Sequence, residues 1–123
     1  MKMRVGMVGC GNIGADMCIA LQRGTIPAEV VALTDIDPKH AEVLLRTFKL
    51  NAKICSLEET AALSDFLVEC AAPDAVKGVV EAAIREHKDC LILSVGGLMD
   101  CPELMDRARE NGVQIKVPSG ALC

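Results

Sequence analysis

Two rhythms of apolar residues alternate along this chain from end to end, one with a period near two and one near three and a half. Val5, Met7 and Val8 make a short apolar run with Gly6. Behind it Ile13, Met17, Ala20 and Leu21 recur at i, i+4, i+7 and i+8, one face of a helix. Gly24 and Pro27 end that helix, and Glu29 to Thr34 reads as a second strand. Asp37 and Pro38 supply an N-cap and a proline at the first helical position. Ala41, Leu44, Leu45 and Phe48 then mark the buried stripe of a second helix. A short strand is expected near Lys53 to Cys55, and Ser56 with Glu59 reads as a capping box for a brief helix ending near Leu63.

Phe66 to Cys70 reads as the fourth strand. Pro73 opens a helix whose inward stripe is Val76, Val79, Val80, Ala83 and Ile84. Cys90 to Leu93 is continuously apolar, as a strand covered by helices on both faces must be. Asp100 and Glu103 are expected to cap a final helix, with Leu104, Met105 and Ala108 inward and Gly112 at its end. Val113, Ile115 and Val117 alternate with Gln114 and Lys116, which suits an edge strand with one wet face. Strands separated by helices pair in parallel through right-handed crossovers. The expected fold class is α/β, a doubly wound parallel sheet (Rossmann) of about six strands in the order 3-2-1-4-5-6. Its ligand crevice would lie at the carboxyl ends of strands one and four, where that order reverses.

The turn after the first strand carries the chemistry this fold is built to hold. Gly9-Cys10-Gly11-Asn12-Ile13-Gly14 is G-x-G-x-x-G placed between a strand and a helix, and Asp35 stands about 20 residues further on at the end of the second strand. Gly9 allows the tight turn, Gly11 has no Cβ to block a pyrophosphate, and Gly14 lets the helix pack closely on the sheet. The helix N-terminus offers free N–H groups and a partial positive charge to phosphates. The Asp35 carboxylate would accept hydrogen bonds from an adenosine ribose. Ile36 follows it and no arginine comes next, so a 2′-phosphate would meet negative charge. NAD is the expected cofactor over NADP, a preference that Lys39 and His40 soften by lying close.

Composition narrows the function classes. Half of the 123 residues are hydrophobic, and a formal charge of −4, spread along the chain, argues against nucleic-acid or anionic-membrane binding. Two Phe with no Trp or Tyr leave no stacking platform for single strands. No apolar stretch approaches the roughly 20 residues that span a bilayer, and no signal-peptide core follows Lys2 and Arg4; a cytoplasmic chain is expected. The seven cysteines (Cys10, Cys18, Cys55, Cys70, Cys90, Cys101 and Cys123) include no C-x-x-C pair and stand where apolar residues belong. They read as reduced thiols in the core, with no metal site expected.

Cys70-Ala71-Ala72-Pro73 ends the fourth strand beside the glycine turn, where small residues let a ribose and nicotinamide lie against backbone. Ser94-Val95-Gly96-Gly97 has a weaker version of the same position, or merely turns the chain. Glu69 is a costly residue for a central strand. It either orients a cofactor group or bonds to neighbouring backbone. His40, in the first turn of the second helix, is expected in solvent near the adenine side. His87 lies in the last turn of its helix, where its ring suits the negative end of the helix dipole. Neither is placed for acid–base catalysis, and no nucleophilic triad is visible.

Val68-Glu69-Cys70-Ala71-Ala72-Pro73-Asp74-Ala75-Val76, Ser94-Val95-Gly96-Gly97-Leu98 and Val117-Pro118-Ser119-Gly120-Ala121 occur in the order found in L-aspartate dehydrogenases. The chain resembles the N-terminal NAD(P)-binding domain of that family over essentially all of residues 1–123. The resemblance implies reversible oxidative deamination of L-aspartate to iminoaspartate or oxaloacetate, with hydride passing to NAD(P)+, and a product that feeds NAD biosynthesis. It assigns Gly9, Gly11, Asn12, Ile13 and Gly14 to the pyrophosphate and Asp35 to the ribose. Cys70, Ala71 and Ala72 would line the ribose–nicotinamide end, and Ser119, Gly120 and Ala121 the entrance to the active site. The family continues into a substrate-binding α/β domain that carries its catalytic histidine. No residue here matches that histidine, so no catalytic residue is assigned. The chain is expected to be a fragment of a larger enzyme or a shortened product, binding dinucleotide without turnover and meeting L-aspartate only with the missing domain. Self-association is expected through the apolar edge after Val117. Two rivals remain. One is a stand-alone NAD(H)-sensing module like those regulating potassium uptake, which leaves V-P-S-G-A unexplained. The other is the corresponding domain of a homoserine dehydrogenase or dihydrodipicolinate reductase.

Overall fold

The computed structural model describes residues 2–24, 27–118 and 120–121. In chain order its strands are β1 (Met3–Val8), β2 (Ala28–Thr34), β3 (Lys53–Ile54), β4 (Phe66–Glu69), β5 (Asp89–Ile92), β6 (Ile115–Val117) and β7 (Gly120–Ala121). The helices are α1 (Asn12–Gln22), α2 (Pro38–Thr47), α3 (Leu57–Leu63), α4 (Val76–Glu86), α5 (Val95–Met99) and α6 (Pro102–Glu110), with a 3-10 turn over Pro73–Ala75. The sheet order is β3-β2-β1-β4-β5-β6-β7. All pairs from β3 to β6 are parallel, and β7 returns antiparallel on β6 with Lys116 opposite Ala121. The doubly wound order read from the helix–strand alternation therefore holds. β6 is not the edge that its alternating pattern suggested, because β7 covers it.

Successive residues of a strand face opposite sides of a sheet, and β4 and β5 show it directly. Leu67, Cys90 and Ile92 pack with the buried face of α4 and with Leu98, Leu104, Ala108 and Ile115. Val68 and Leu91 point the other way, into a core made with Val5, Met7, Val30, Leu33, Cys18, Ala41 and Leu44. Two hydrophobic layers thus sandwich the sheet, as continuously apolar parallel strands require.

The local signals succeeded where one residue type decides the geometry. Asp37 caps α2, its Oδ1 accepting from the Lys39 N–H at 3.1 Å, with Pro38 at the first turn. Ser56 caps α3 through the Glu59 N–H at 3.1 Å. The expected reciprocal arm of that capping box is diverted, because the Glu59 carboxylate pairs with Lys53. Elsewhere packing overrode pattern. The buried line of α1 runs through Gly14 and Cys18, and leaves Ile13 and Ala20 exposed. The helix is rotated to set Gly14 against the sheet. Ser94–Gly97, expected as a turn, leads into the short helix α5. A Cβ on Gly97 would lie 2.4 Å from the Pro73 carbonyl oxygen, so its glycine serves close approach to the start of α4. The final helix starts one step later than expected, with Cys101 at its N-cap and no side-chain capping bond. Pro102 at the first helical position sets that start.

Candidate functional site

A cleft of about 830 Å³ opens above the carboxyl ends of β1, β2 and β4. Into it project the β1–α1 turn (Gly9 to Ile13), the end of β2 (Thr34 to Ile36) and the segment after β4 (Cys70 to Ala72). A smaller hollow, about 530 Å³, lies beside Leu21, Gln22, Phe48 and the start of β2, at the opposite end of the strands.

The turn's three glycines have three different reasons to lack a side chain. Gly9 sits at φ +94°, and a Cβ there would fall 2.7 Å from the backbone of Ala71, so the turn can touch the loop after β4 only as glycine. A Cβ on Gly14 would lie 2.8 Å from the Gly9 carbonyl oxygen, which fixes how closely α1 lies on the turn. Gly11 differs from both. Beyond its two chain neighbours, no described atom lies within 4 Å of a Cβ built on it, yet it lines the cleft. Its missing side chain therefore keeps space open for something else.

Gly11 is also the N-cap of α1 and provides no side-chain capping bond. The first intrahelical bond is donated by the Ala15 N–H to the Gly11 carbonyl at 3.0 Å. The N–H groups before it have no helical acceptor, as at every helix start. They give the cleft donors and partial positive charge, the combination that favours a phosphate.

Asp35 stands across the turn with its side chain only 8% exposed. Its Oδ2 accepts from the Cys10 N–H at 2.7 Å and its Oδ1 from the Asp37 N–H at 2.8 Å. The residue read from the sequence as a sugar acceptor is thus also a brace between the glycine turn and the start of α2. A carboxylate offers about four acceptor positions, so these two bonds do not exhaust it. Ile36, next in the chain, is fully exposed over the cleft. His40 was expected in solvent near the adenine side. Its half-exposed ring lines the cleft beside Asp35, with Nδ1 3.5 Å from Asp35 Oδ1 and Nε2 3.8 Å from Asp37 Oδ2.

At the other end, Cys70, Ala71 and Ala72 line the cleft as their small size suggested. Of the two readings left open for Glu69, the structure selects backbone bonding. Fully buried, it accepts from the Ala71 N–H (2.8 Å), the Leu93 N–H (3.1 Å), the Ser94 N–H (2.8 Å) and the Ser94 hydroxyl (2.8 Å). Burial pushes the Cys10 and Cys70 thiols up to about 12, helped by the negative charge of Asp35 and Glu69 respectively, and burial pushes Cys18 up to about 11. These cysteines are protonated packing groups at neutral pH. Cys10 Sγ donates weakly to the Thr34 carbonyl at 3.6 Å.

Gly14 underlies the turn. Gly120 and Ala121 form β7, beyond β6 in the sheet order, and Ser119 lies outside the described residues. Residue-by-residue reading missed Leu57, Asp74, Ala75, Gly78 and Val79, which also wall the cleft. The one available signal was Gly78, a glycine in a helix interior, where it is destabilising unless something must come close. Among the described residues no group of three or more His, Cys, Asp or Glu could hold a metal ion, and no helix is long and apolar enough to cross a membrane.

Residues 9–118 match the family described as homoserine dehydrogenase, NAD binding domain. An L-aspartate dehydrogenase from Methanocella arvoryzae is 37% identical over 97% of this chain and 45% of its own length. Another, from Bradyrhizobium diazoefficiens, is 34% identical over 98% of this chain and 43% of its length. The chain therefore spans somewhat under half the length of these curated relatives. The crystal structure of myo-inositol dehydrogenase from Lactobacillus casei in complex with NAD(H) and myo-inositol aligns with a TM-score of 0.87 and 27% identity. That match covers 96% of this chain and 37% of the other.

Proposed function

The chain belongs to the homoserine dehydrogenase NAD-binding domain family, and from that premise we propose that residues 1–123 act as the dinucleotide-binding domain of an L-aspartate dehydrogenase. The observation that carries this reading is the uncapped start of α1 facing a cleft that Gly11 keeps open. A diphosphate is the ligand group whose charge and width suit that arrangement. The adenosine ribose would lie toward Asp35 and Ile36, and the nicotinamide ribose toward Cys70, Ala71 and Ala72. Two carboxylates, Asp35 and Asp37, stand at the ribose end, and they favour NAD over its 2′-phosphorylated form.

The substrate reading rests on the relatives. The two relatives named above align over nearly the whole chain and are L-aspartate dehydrogenases, so we assign L-aspartate oxidation in the cytoplasm, with an iminoaspartate product suited to NAD biosynthesis. A bound nicotinamide supplies the hydride acceptor. This chain's own residues bind and orient it, while the groups that position L-aspartate and move its proton lie outside residues 1–123. The name of the matching family supports homoserine as a second substrate reading. Calorimetric titration of the chain with NADH and NADPH tests the cofactor reading, with NADH binding the more tightly. Equal or reversed affinities would overturn the preference, and absence of binding the reading itself. L-aspartate or homoserine added with NAD+ is expected to give no NADH with this chain. Turnover with homoserine would instead assign the second substrate and place the catalytic groups inside the chain.

A further inference from the structure

Glu69 is the one charged residue fully buried among the described residues, and it does not itself line the cleft. Its four partners are all donors, and they belong to two different loops. The Ala71 N–H comes from the segment after β4, and the Leu93 N–H, Ser94 N–H and Ser94 hydroxyl come from the segment after β5. Oε1 serves the Leu93 and Ser94 N–H groups, while Oε2 serves the Ala71 N–H and the Ser94 hydroxyl. A carboxylate only accepts, so four donors satisfy it at this depth, where an unpaired charge would be costly. Ala71 is in turn the residue against which Gly9 is pressed. One side chain thus sets the height of the Ala71–Ala72 wall relative to both the glycine turn and the β5 loop.

We infer that Glu69 is a positioning residue for the nicotinamide half of the cofactor, acting through the Ala71–Ala72 backbone that it pins to Ser94. The inference rests on the cofactor orientation proposed above. It requires Glu69 to matter for the half of the ligand near β4 and not for the half near Asp35.

The test is Glu69→Gln, titrated with NADH and separately with ADP, which lacks the nicotinamide ribose and ring. Glutamine keeps the shape but presents an amide N–H₂ to one of the two donor pairs. If that amide takes the Oε2 place, the Ser94 hydroxyl can turn to accept from it, but the Ala71 N–H cannot. NADH affinity is expected to fall about tenfold, the scale of one buried donor left unpaired, while ADP affinity stays within about twofold. A merely structural role would weaken both ligands alike, and equal losses, or none, would overturn the inference. Ser94→Ala removes a single bond to Glu69 and keeps the test available if Glu69→Gln fails to fold. It is expected to weaken NADH about threefold and to leave ADP unchanged, and an unchanged NADH affinity would count against the inference. Failure of the wild-type chain to bind NADH would overturn the cofactor reading itself, a result read before any variant is compared.

Discussion

The Asp35 carboxylate receives the backbone N–H of Cys10 at 2.7 Å, tying the end of β2 to the middle of the glycine turn. In the cofactor orientation proposed above, sugar recognition and the shape of the phosphate loop are coupled through this one side chain. Asp35→Asn keeps the size of the group but lets it accept at one atom only, so either the Cys10 or the Asp37 N–H loses its partner. NADH affinity is expected to drop by about 1–3 kcal/mol, with NADPH losing less because negative charge beside its 2′-phosphate is removed. Calorimetry with both cofactors checks this. An unchanged ratio of the two affinities would mean that Asp35 does not face the ribose.

The glycines of the turn separate folding from binding. Gly9→Ala meets a positive φ of 94° and the Ala71 backbone 2.7 Å away, and Gly14→Ala meets the Gly9 carbonyl at 2.8 Å. Neither obstacle is the end of a flexible side chain. Both substitutions are expected to cost about 1–3 kcal/mol of stability, read as a lower midpoint in urea. Wild-type stability in either variant would contradict the close packing of the turn on α1 and the β4 loop.

The thiols make stability depend on alkaline pH. An unfolded cysteine ionises near 9.0, while Cys18 holds its proton to about 11 and Cys10 and Cys70 to about 12. Between those values the unfolded chain releases protons that the native chain keeps. The contribution is thus fully present below pH 9 and is lost as pH rises through 11 to 12. Thermal midpoints should fall over this range in the wild type, and less steeply in Cys18→Ala with Cys70→Ala; parallel slopes would refute the assignment. At pH 8 iodoacetamide should label the half-buried Cys55 and Cys101 well before Cys10, Cys18 or Cys70.

What the chain's pattern disclosed, and what it hid, follows from the range of the interactions involved. The strand order was legible because buried parallel strands are unbroken apolar runs and each crossover is a helix. The glycine turn and Asp35 were legible because a single local spacing carries their geometry. The rotation of α1 was not, since Gly14 contributes nothing to a count of apolar side chains yet dictates which face meets the sheet. Glu69 looked anomalous because the donors that satisfy it from the segment after β5 lie far along the chain. Gly78, Leu57 and His40 reach the cleft from three separate helices, and only the assembled fold brings them to one place. β7 added a strand after Val117 where the pattern ended in an edge.

Gly11→Ala isolates the central claim, that the cleft at the start of α1 grips a diphosphate. Apart from Gly11 and its two chain neighbours, no described atom lies within 4 Å of the new methyl group, so folding should be little affected, with a urea midpoint close to that of the wild type. The same methyl group would occupy the space against the helix N-terminus that the phosphates need. Titration of this variant with NADH is expected to show affinity reduced at least about tenfold in a fully folded chain. NADH bound as tightly as by the wild type would contradict the account.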